Sequence, residues 1–306
     1  MSPPTPTQKI IIAHRGASGY VPEHTSEAKA MAHAMNADYI EQDLVLSKDD
    51  VPIVIHDIYL DEVTNVSEVY PGRNRSDGRF YVIDFTLEEL MRLSVHERIE
   101  PKSKRAVYPG RFPVDKGNFK LHTFAQEIEL IQGLNKSSGK NTGIYPEIKN
   151  PGFHREQGKD ISVIVLQILE DYGYTHKNDP CVLQCFDAKE LKRIREQLHS
   201  ELFLTQLMEF PDGFDDLEHI ATYADAIGPS VEQLVLATFG KTPDQKKEIV
   251  NRCHDLNLKV HAYTFRKDDH PNFRSFDELL GFAFDDLNLD GVFTDFPDEV
   301  YRFLNN

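Results

Sequence analysis

Four short stretches hold the residues that could do chemistry. "IIAHRGASG" ends an apolar run on His14 and Arg15, followed at once by Gly16. "YIEQDLV" holds Glu41 and Asp43, "IYPEIKNPG" holds Glu147 and Lys149, and "VPIVIHD" closes on His56 and Asp57. Singly, each has an ordinary explanation. A lone His or Arg at a strand end is more often a surface or capping residue. Glu41 and Asp43 would suit the solvated edge of an open antiparallel sheet, Glu147 and Lys149 a structural ion pair, and His56 a core imidazole on a backbone carbonyl. Together they point elsewhere. Three carboxylates at one mouth repel one another, so one stays protonated or a cation sits among them. Oxygen ligands with no Cys nearby favour Ca²⁺ or Mg²⁺ over Zn²⁺. Arg15 and Lys149 add the fixed positive charge that a phosphate oxyanion requires. His14 and His56 are residues of the type that serves as general base and general acid near neutrality. The set reads as a site for phosphoryl transfer.

Such a site needs elements that deliver its parts to one face. The apolar runs "KIIIA", "DYIEQDLVL", "GIYPEIK", "CVLQCF", "LFLTQL", "DAIG", "KVHAYTF" and "DGVFTDF" alternate with helical patterns or room for one. That alternation belongs to a parallel α/β fold. Thr25 reads as the N-cap of a helix with Ala28, Met31, Ala32 and Met35 on one face. Thr123 and Gln126 read as the capping box of another, with Phe124, Ile128, Ile131 and Leu134 inward. A doubly wound open sheet is the competing architecture. Without the irregular stretch 57–122, roughly 240 residues remain, close to the ~250 of an eightfold barrel, so a (β/α)₈ TIM barrel is expected. Strand ends of a barrel open onto one face, and side chains at i and i+2 of a strand point the same way.

"VPIVIHD" follows "DLVLSKDD" too soon for a crossover helix and should pair with it as a hairpin. The insertion 57–122 comes next. It has "YPGR" twice and one helix, "TLEELMRL", with Thr86 and Glu89 as a capping box. The expectation is one barrel domain over 1–306 with 57–122 as a small inserted subdomain, acting either as a cover for the site or as a stability cap.

Bulk properties exclude some classes. With 34 Lys and Arg against 50 Asp and Glu, the formal charge is −16, which disfavours a nucleic-acid backbone but not a small anion in a local positive pocket. No stretch approaches the ~20 apolar residues of a membrane span. "MSPPTPTQ" lacks a signal peptide's apolar run, so either a cytosolic protein or a mature chain with its signal removed is expected. Cys181 and Cys185 sit on one strand, roughly 13 Å apart and beyond disulfide reach. Cys253 reads as a core thiol.

These motifs, with "AHRGASGYVPEHT", "YIEQDLVLSKDDVPIVIHD", "GRFP…LHTF", "HREQGKDI", "LQCFDAKELKRIREQL", "IGPS", "VHAYTFRKDD" and "GVFTDFPDEVYRFL", resemble the periplasmic type of bacterial glycerophosphodiester phosphodiesterase over nearly the whole chain. The resemblance implies a (β/α)₈ barrel that hydrolyses glycerophosphodiesters, such as glycerophosphocholine and glycerophosphoethanolamine, to sn-glycerol 3-phosphate and an alcohol. It implies His14 and His56 as the catalytic pair, Glu41, Asp43 and Glu147 as metal ligands, and Arg15 and Lys149 as phosphate-binding cations. Ca²⁺ is the implied ion, Mg²⁺ the alternative. Gln184, Phe186 and Tyr263 are candidate pocket-lining residues, each equally explicable as packing. A periplasmic location follows from the branch alone. The stretch between "LMEF" and "IGPS" is shorter than in many periplasmic relatives, which would alter the mouth. Rival readings are a lysophospholipase D-type activity, a phosphomonoesterase, and a surface binding protein on the same barrel. A homodimer is one option for an oligomeric state that the sequence leaves open.

Overall fold

Ile10–Ala13 is apolar at every position, as a parallel strand covered on both faces must be. It is β1 of nine strands among the described residues: β2 (Tyr39–Leu46), β3 (Pro52–Val54), β4 (Gly143–Ile148), β5 (Val182–Cys185), β6 (Phe203–Leu207), β7 (Ala226–Gly228), β8 (Lys259–Phe265) and β9 (Gly291–Thr294) follow. The computed structural model describes residues 9–209 and 214–305. The reading of "MSPPTPTQ", and the part of the shortened stretch at 210–213, lie outside the described residues.

β1 pairs in parallel with both β2 and β9, and the order β9-β8-β7-β6-β5-β4-β2 completes the ring. The eight parallel strands close into a TIM barrel, as expected. β3 runs antiparallel to β2, with Leu44 opposite Val54, so the hairpin forms too.

Two clusters sandwich the barrel wall. Ile12, Tyr145, Val182 and Phe293 fill the interior. A larger cluster, including Ile40, Leu44, Ile144 and Leu183, packs strands against helices. A third gathers Leu60, Phe85, Leu90 and Leu121 of the insertion on Val45, Ile53 and Ile55 of the hairpin. Within it, the Thr86–Glu89 capping box is present, but the helix is a single turn, Leu87–Leu90. The Leu93 N–H bonds the Leu90 carbonyl at 3.0 Å, a tightening that ends the helix and buries both leucines in the insertion cluster.

Two helix faces differ from the apolar pattern. In Ser26–Ala34 the buried residues are Ala28, Lys29, Ala32 and His33, while Met31 and Met35 are only half-buried. In Phe124–Ser138 Glu127 takes an inward place and Leu134 is half-buried. The cause is one buried ion pair, Lys29 Nζ to Glu127 Oε1 at 3.0 Å, that joins the two helices. Cys181, Cys185 and Cys253 are buried free thiols.

Candidate active site

The alternation of β2 turns Glu41 and Asp43 into the barrel, while Gln42 between them faces the helices and donates to Glu127 at 2.8 Å. In the register of the wall, Asp43 lies beside Glu147, and Glu147 beside Gln184. Three neighbouring strands therefore present polar groups at one level. Gln184 Nε2 donates to Glu41 Oε1 at 3.0 Å. Ligand oxygens of Glu41, Asp43 and Glu147 lie within 4.8 Å of one another, all buried.

Their electrostatics are those of acids forced together. Burial, reinforced by Asp43 and Glu147, raises Glu41 well above the ordinary carboxylate range. Burial also lifts Glu147 to about 8, although Lys149 opposes it. Asp43 goes the other way: burial would raise it, but Lys149 and His24 hold it well below its usual value. Asp43 Oδ1 is buried with no hydrogen-bond partner among the described residues. Three hard oxygen donors, two of them hard to ionise and one with an unused oxygen, fit a divalent cation.

The end of β1 shows why the sequence reads His-Arg-Gly. The His14 N–H bonds the Thr294 carbonyl of β9 at 2.9 Å, and the chain then turns through positive φ at Arg15 and Gly16. A Cβ on Gly16 would meet the Ala28 backbone at 2.8 Å, so glycine is required there. The turn aims the Arg15 N–H at Glu41 Oε2, 2.8 Å away. The Arg15 guanidinium grips both oxygens of Glu23 at 3.0 Å, with Nε 3.7 Å from Asp43. Lys149 does form the ion pair of the ordinary reading, at 2.8 Å from Glu147, and also stands 4.0 Å from Asp43.

Both imidazoles are held by a carboxylate at Nδ1. His14 Nδ1 lies 2.5 Å from Asp295 Oδ1, which leaves Nε2 facing Glu41, 3.9 Å away. His56 Nδ1 lies 2.9 Å from Asp57 Oδ1. Burial, against the pull of Asp295, lowers His14 to about 4. Burial with Arg15 and Lys149 lowers His56 to about 3. Both rings are therefore neutral near pH 7, with Nδ1 donating and Nε2 free to accept a proton.

A cavity of about 440 Å³ opens over these groups, and the ten residues that the sequence assigned to catalysis, metal, phosphate or the pocket all line it, Gln184, Phe186 and Tyr263 included. No residue of 57–122 lines it.

The residues match the glycerophosphoryl diester phosphodiesterase family from 14 to 299. The chain belongs to that family. It is 45% identical to a glycerophosphodiester phosphodiesterase of Haemophilus influenzae, over 97% of this chain and 90% of that protein. It is 38% identical to one of Treponema pallidum, over 97% and 92% respectively. Among solved structures, an Oleispira antarctica phosphodiesterase in complex with sn-glycerol-3-phosphate superposes with a TM-score of 0.69 at 19% identity, covering 98% of both chains. A glycerophosphodiester phosphodiesterase from Agrobacterium tumefaciens gives 0.65 at 19%, covering 96% of this chain and all of that one; at such identities these structures support the fold alone. As a family member, the protein is a phosphoric diester hydrolase.

Several contributors escaped the sequence reading. Asp295 holds His14 and is itself held by Arg111 at 2.7 Å and Arg266 at 2.9 Å. Despite burial, Arg266, His14 and Arg111 keep it well below the usual range. His24 bonds Asp43 Oδ2 at 2.7 Å through Nε2, while Lys29 approaches its Nδ1 at 3.2 Å. Arg98, from the insertion, contacts Glu23 at 2.6 Å and Asp57 at 2.7 Å, and so braces the partners of Arg15 and His56 together. The motif "PEHT" was the available signal for Glu23 and His24, and "FTDF" for Asp295.

Proposed function

We propose that this cavity hydrolyses glycerophosphodiesters, glycerophosphocholine and glycerophosphoethanolamine among them, to sn-glycerol 3-phosphate and an alcohol. The observation behind this reading is the pair of imidazoles, each fixed at Nδ1 by a carboxylate, that share one cavity with the carboxylate triad. Arg15 and Lys149 bind the diester phosphate and offset the charge that builds on its oxygens. One histidine takes the proton of the attacking hydroxyl at Nε2. The other, protonated by exchange with solvent, delivers a proton to the alkoxide as the P–O bond breaks. Water supplies the hydroxyl overall, whether it attacks directly or opens a cyclic phosphate formed by the glycerol 2-hydroxyl.

Glu41, Asp43 and Glu147 would hold one divalent cation. When bound, it would supply Lewis-acid polarisation of the phosphate oxygens. Ca²⁺ is our choice of ion and the periplasm our choice of location, both supported by the motifs shared with the periplasmic branch. The small-molecule substrate accords with the family. Among the described residues no helix is long and apolar enough to cross a membrane.

The test is release of glycerol 3-phosphate from glycerophosphocholine by purified protein, with chelator and then with Ca²⁺ or Mg²⁺ restored. Activity lost to chelator and regained with Ca²⁺ is the expected result. Recovery with Mg²⁺ alone overturns the choice of ion. No release under either metal overturns the reaction and favours the surface-binding alternative.

A further inference from the structure

The two histidines stand between two cavities. The second, about 200 Å³, shares His14, Arg15, His56 and Arg266 with the first but has a different wall. The larger cavity is partly apolar, with Phe186, Leu207, Tyr263 and Phe273 on its sides. The smaller is walled by arginines: Arg15, Arg98, Arg111 and Arg266, with Tyr108 among them. Among the described residues only Glu23 and Asp295 represent the opposite charge on that wall. The insertion contributes here, through Arg98, Tyr108 and Arg111.

Most of these cations are already engaged. Arg15 is tied to Glu23. Arg98 is divided among Glu23, Asp57 and Glu62. Arg111 is shared between Asp268 and Asp295, and its guanidinium carbon sits over the Tyr108 ring, 3.7 Å from the centroid. Arg266 differs. Its Nε donates to Asp295 at 2.9 Å, and its two terminal amino groups have no partner among the described residues. Its guanidinium carbon lies 5.7 Å from the same Tyr108 ring. An arginine with its fork free, braced by an aromatic ring at the wall of a small cavity, is built for bidentate capture of a carboxylate or phosphate.

A phosphodiester has two arms. If the phosphorus lies where the histidines are, the arms must leave in two directions, and the structure offers two cavities. We infer that the arginine-walled cavity receives the alcohol arm and favours alcohols that bear an anionic group, a carboxylate or a second phosphate, over cationic or neutral ones, with Arg266 as the residue that sets the preference. This inference rests on the diesterase reading above and goes beyond it, because family membership specifies no leaving group.

Glycerophosphoserine and glycerophosphoethanolamine differ by a single carboxylate, which makes them the probes. The metal-supplied full-length protein is assayed with each, and the ratio of kcat/KM is compared between native protein and Arg266→Gln. Any damage that Arg266→Gln does through Asp295 and His14 affects both substrates and cancels in the ratio. The native ratio is expected to favour glycerophosphoserine by about 10- to 100-fold, the range for a hydrogen bond to a charged group, and to fall to within a few-fold of unity in Arg266→Gln. A native ratio at or below one, or a ratio unmoved by the substitution, overturns the inference while the diesterase reading stands. If neither diester is hydrolysed, that reading fails, and calorimetric binding of the same pair decides the pocket: tighter glycerophosphoserine, lost in Arg266→Gln, supports it, and equal affinities overturn it.

Discussion

Asp295→Asn should be one of the most damaging single-atom changes available in this protein. Asp295 Oδ2 accepts from Arg111 at 2.7 Å and Arg266 at 2.9 Å, while Oδ1 faces His14 Nδ1 at 2.5 Å. An asparagine has one oxygen to place. An amide NH₂ facing two guanidiniums would set donor against donor, so the oxygen stays on the arginine side and the NH₂ turns to His14. The ring must then accept at Nδ1 and carry its proton on Nε2, the nitrogen that faces Glu41 and the cavity. In that tautomer His14 cannot act as a base at Nε2. Restoring the working tautomer forfeits a hydrogen bond to a charged group, about 1.5–3 kcal/mol, or roughly 10- to 100-fold in rate. Loss of the carboxylate also removes the charge that would stabilise His14 as an imidazolium. The two together predict a fall in kcat of about 10²–10⁴ with KM little changed; a tautomer-reversing Asp→Asn change in a serine-protease triad costs ~10⁴. The assay is steady-state release of glycerol 3-phosphate at saturating metal, with thermal unfolding to verify the fold. A kcat within about threefold of native, in a folded variant, would refute the role given to His14 and its partner.

Metal and pH should be linked through the triad. Glu147 is raised from 4.5 to about 8, so its contribution to stability is full below 4.5 and is lost progressively as pH rises from there to about 8. Glu41 shifts the same way, and Glu97, raised by burial to about 7, adds to the slope up to that pH. Above about pH 6.5, where the histidines have lost their protons in both states, metal-free protein should therefore lose stability up to about pH 8, and Ca²⁺ should reverse most of that loss; urea midpoints at both pH values, with and without Ca²⁺, check it, and a flat metal-free profile would argue against the repulsion. Lys29→Met leaves Glu127 buried without its cation, next to Gln42 and His122, and should destabilise by about 3–5 kcal/mol in urea unfolding. Adding Glu127→Gln should recover part of this, and a cost under about 1 kcal/mol for the single variant would show that the pair is not what joins the two helices.

What the sequence made legible follows from what period and position encode. Strand ends of a barrel share a face, so His14, Arg15, Glu41, Asp43, His56, Glu147 and Lys149 could be gathered from their places in apolar runs, and the structure brings them to one cavity. Asp295 was hidden by its surroundings. An Asp between a strand and "FPDEV" looks like an ordinary helix start, and its real partner is 281 residues away, across the seam where β9 meets β1. Lys29 was hidden because a charged residue in an amphipathic pattern is assigned to solvent. Buried partners elsewhere in the fold, the Glu127 carboxylate on another helix and the Glu41 carbonyl of β2, turn it inward. Arg98 lay in a stretch without periodicity, where spacing has nothing to say about contacts.

That seam has a consequence for the protein while it is being made. Of the eight barrel strands β1 leaves the ribosome first, and β9, followed at once by Asp295, leaves last. Until β9 docks, the ring is open, the His14 N–H lacks the Thr294 carbonyl, and the imidazole lacks the carboxylate that sets its tautomer. A nascent or C-terminally truncated chain would hold every residue of the carboxylate triad and both histidines, yet His14 would lack the partner that sets its tautomer. Competence would arrive with that strand, all at once, so hydrolysis itself would report that the barrel has closed.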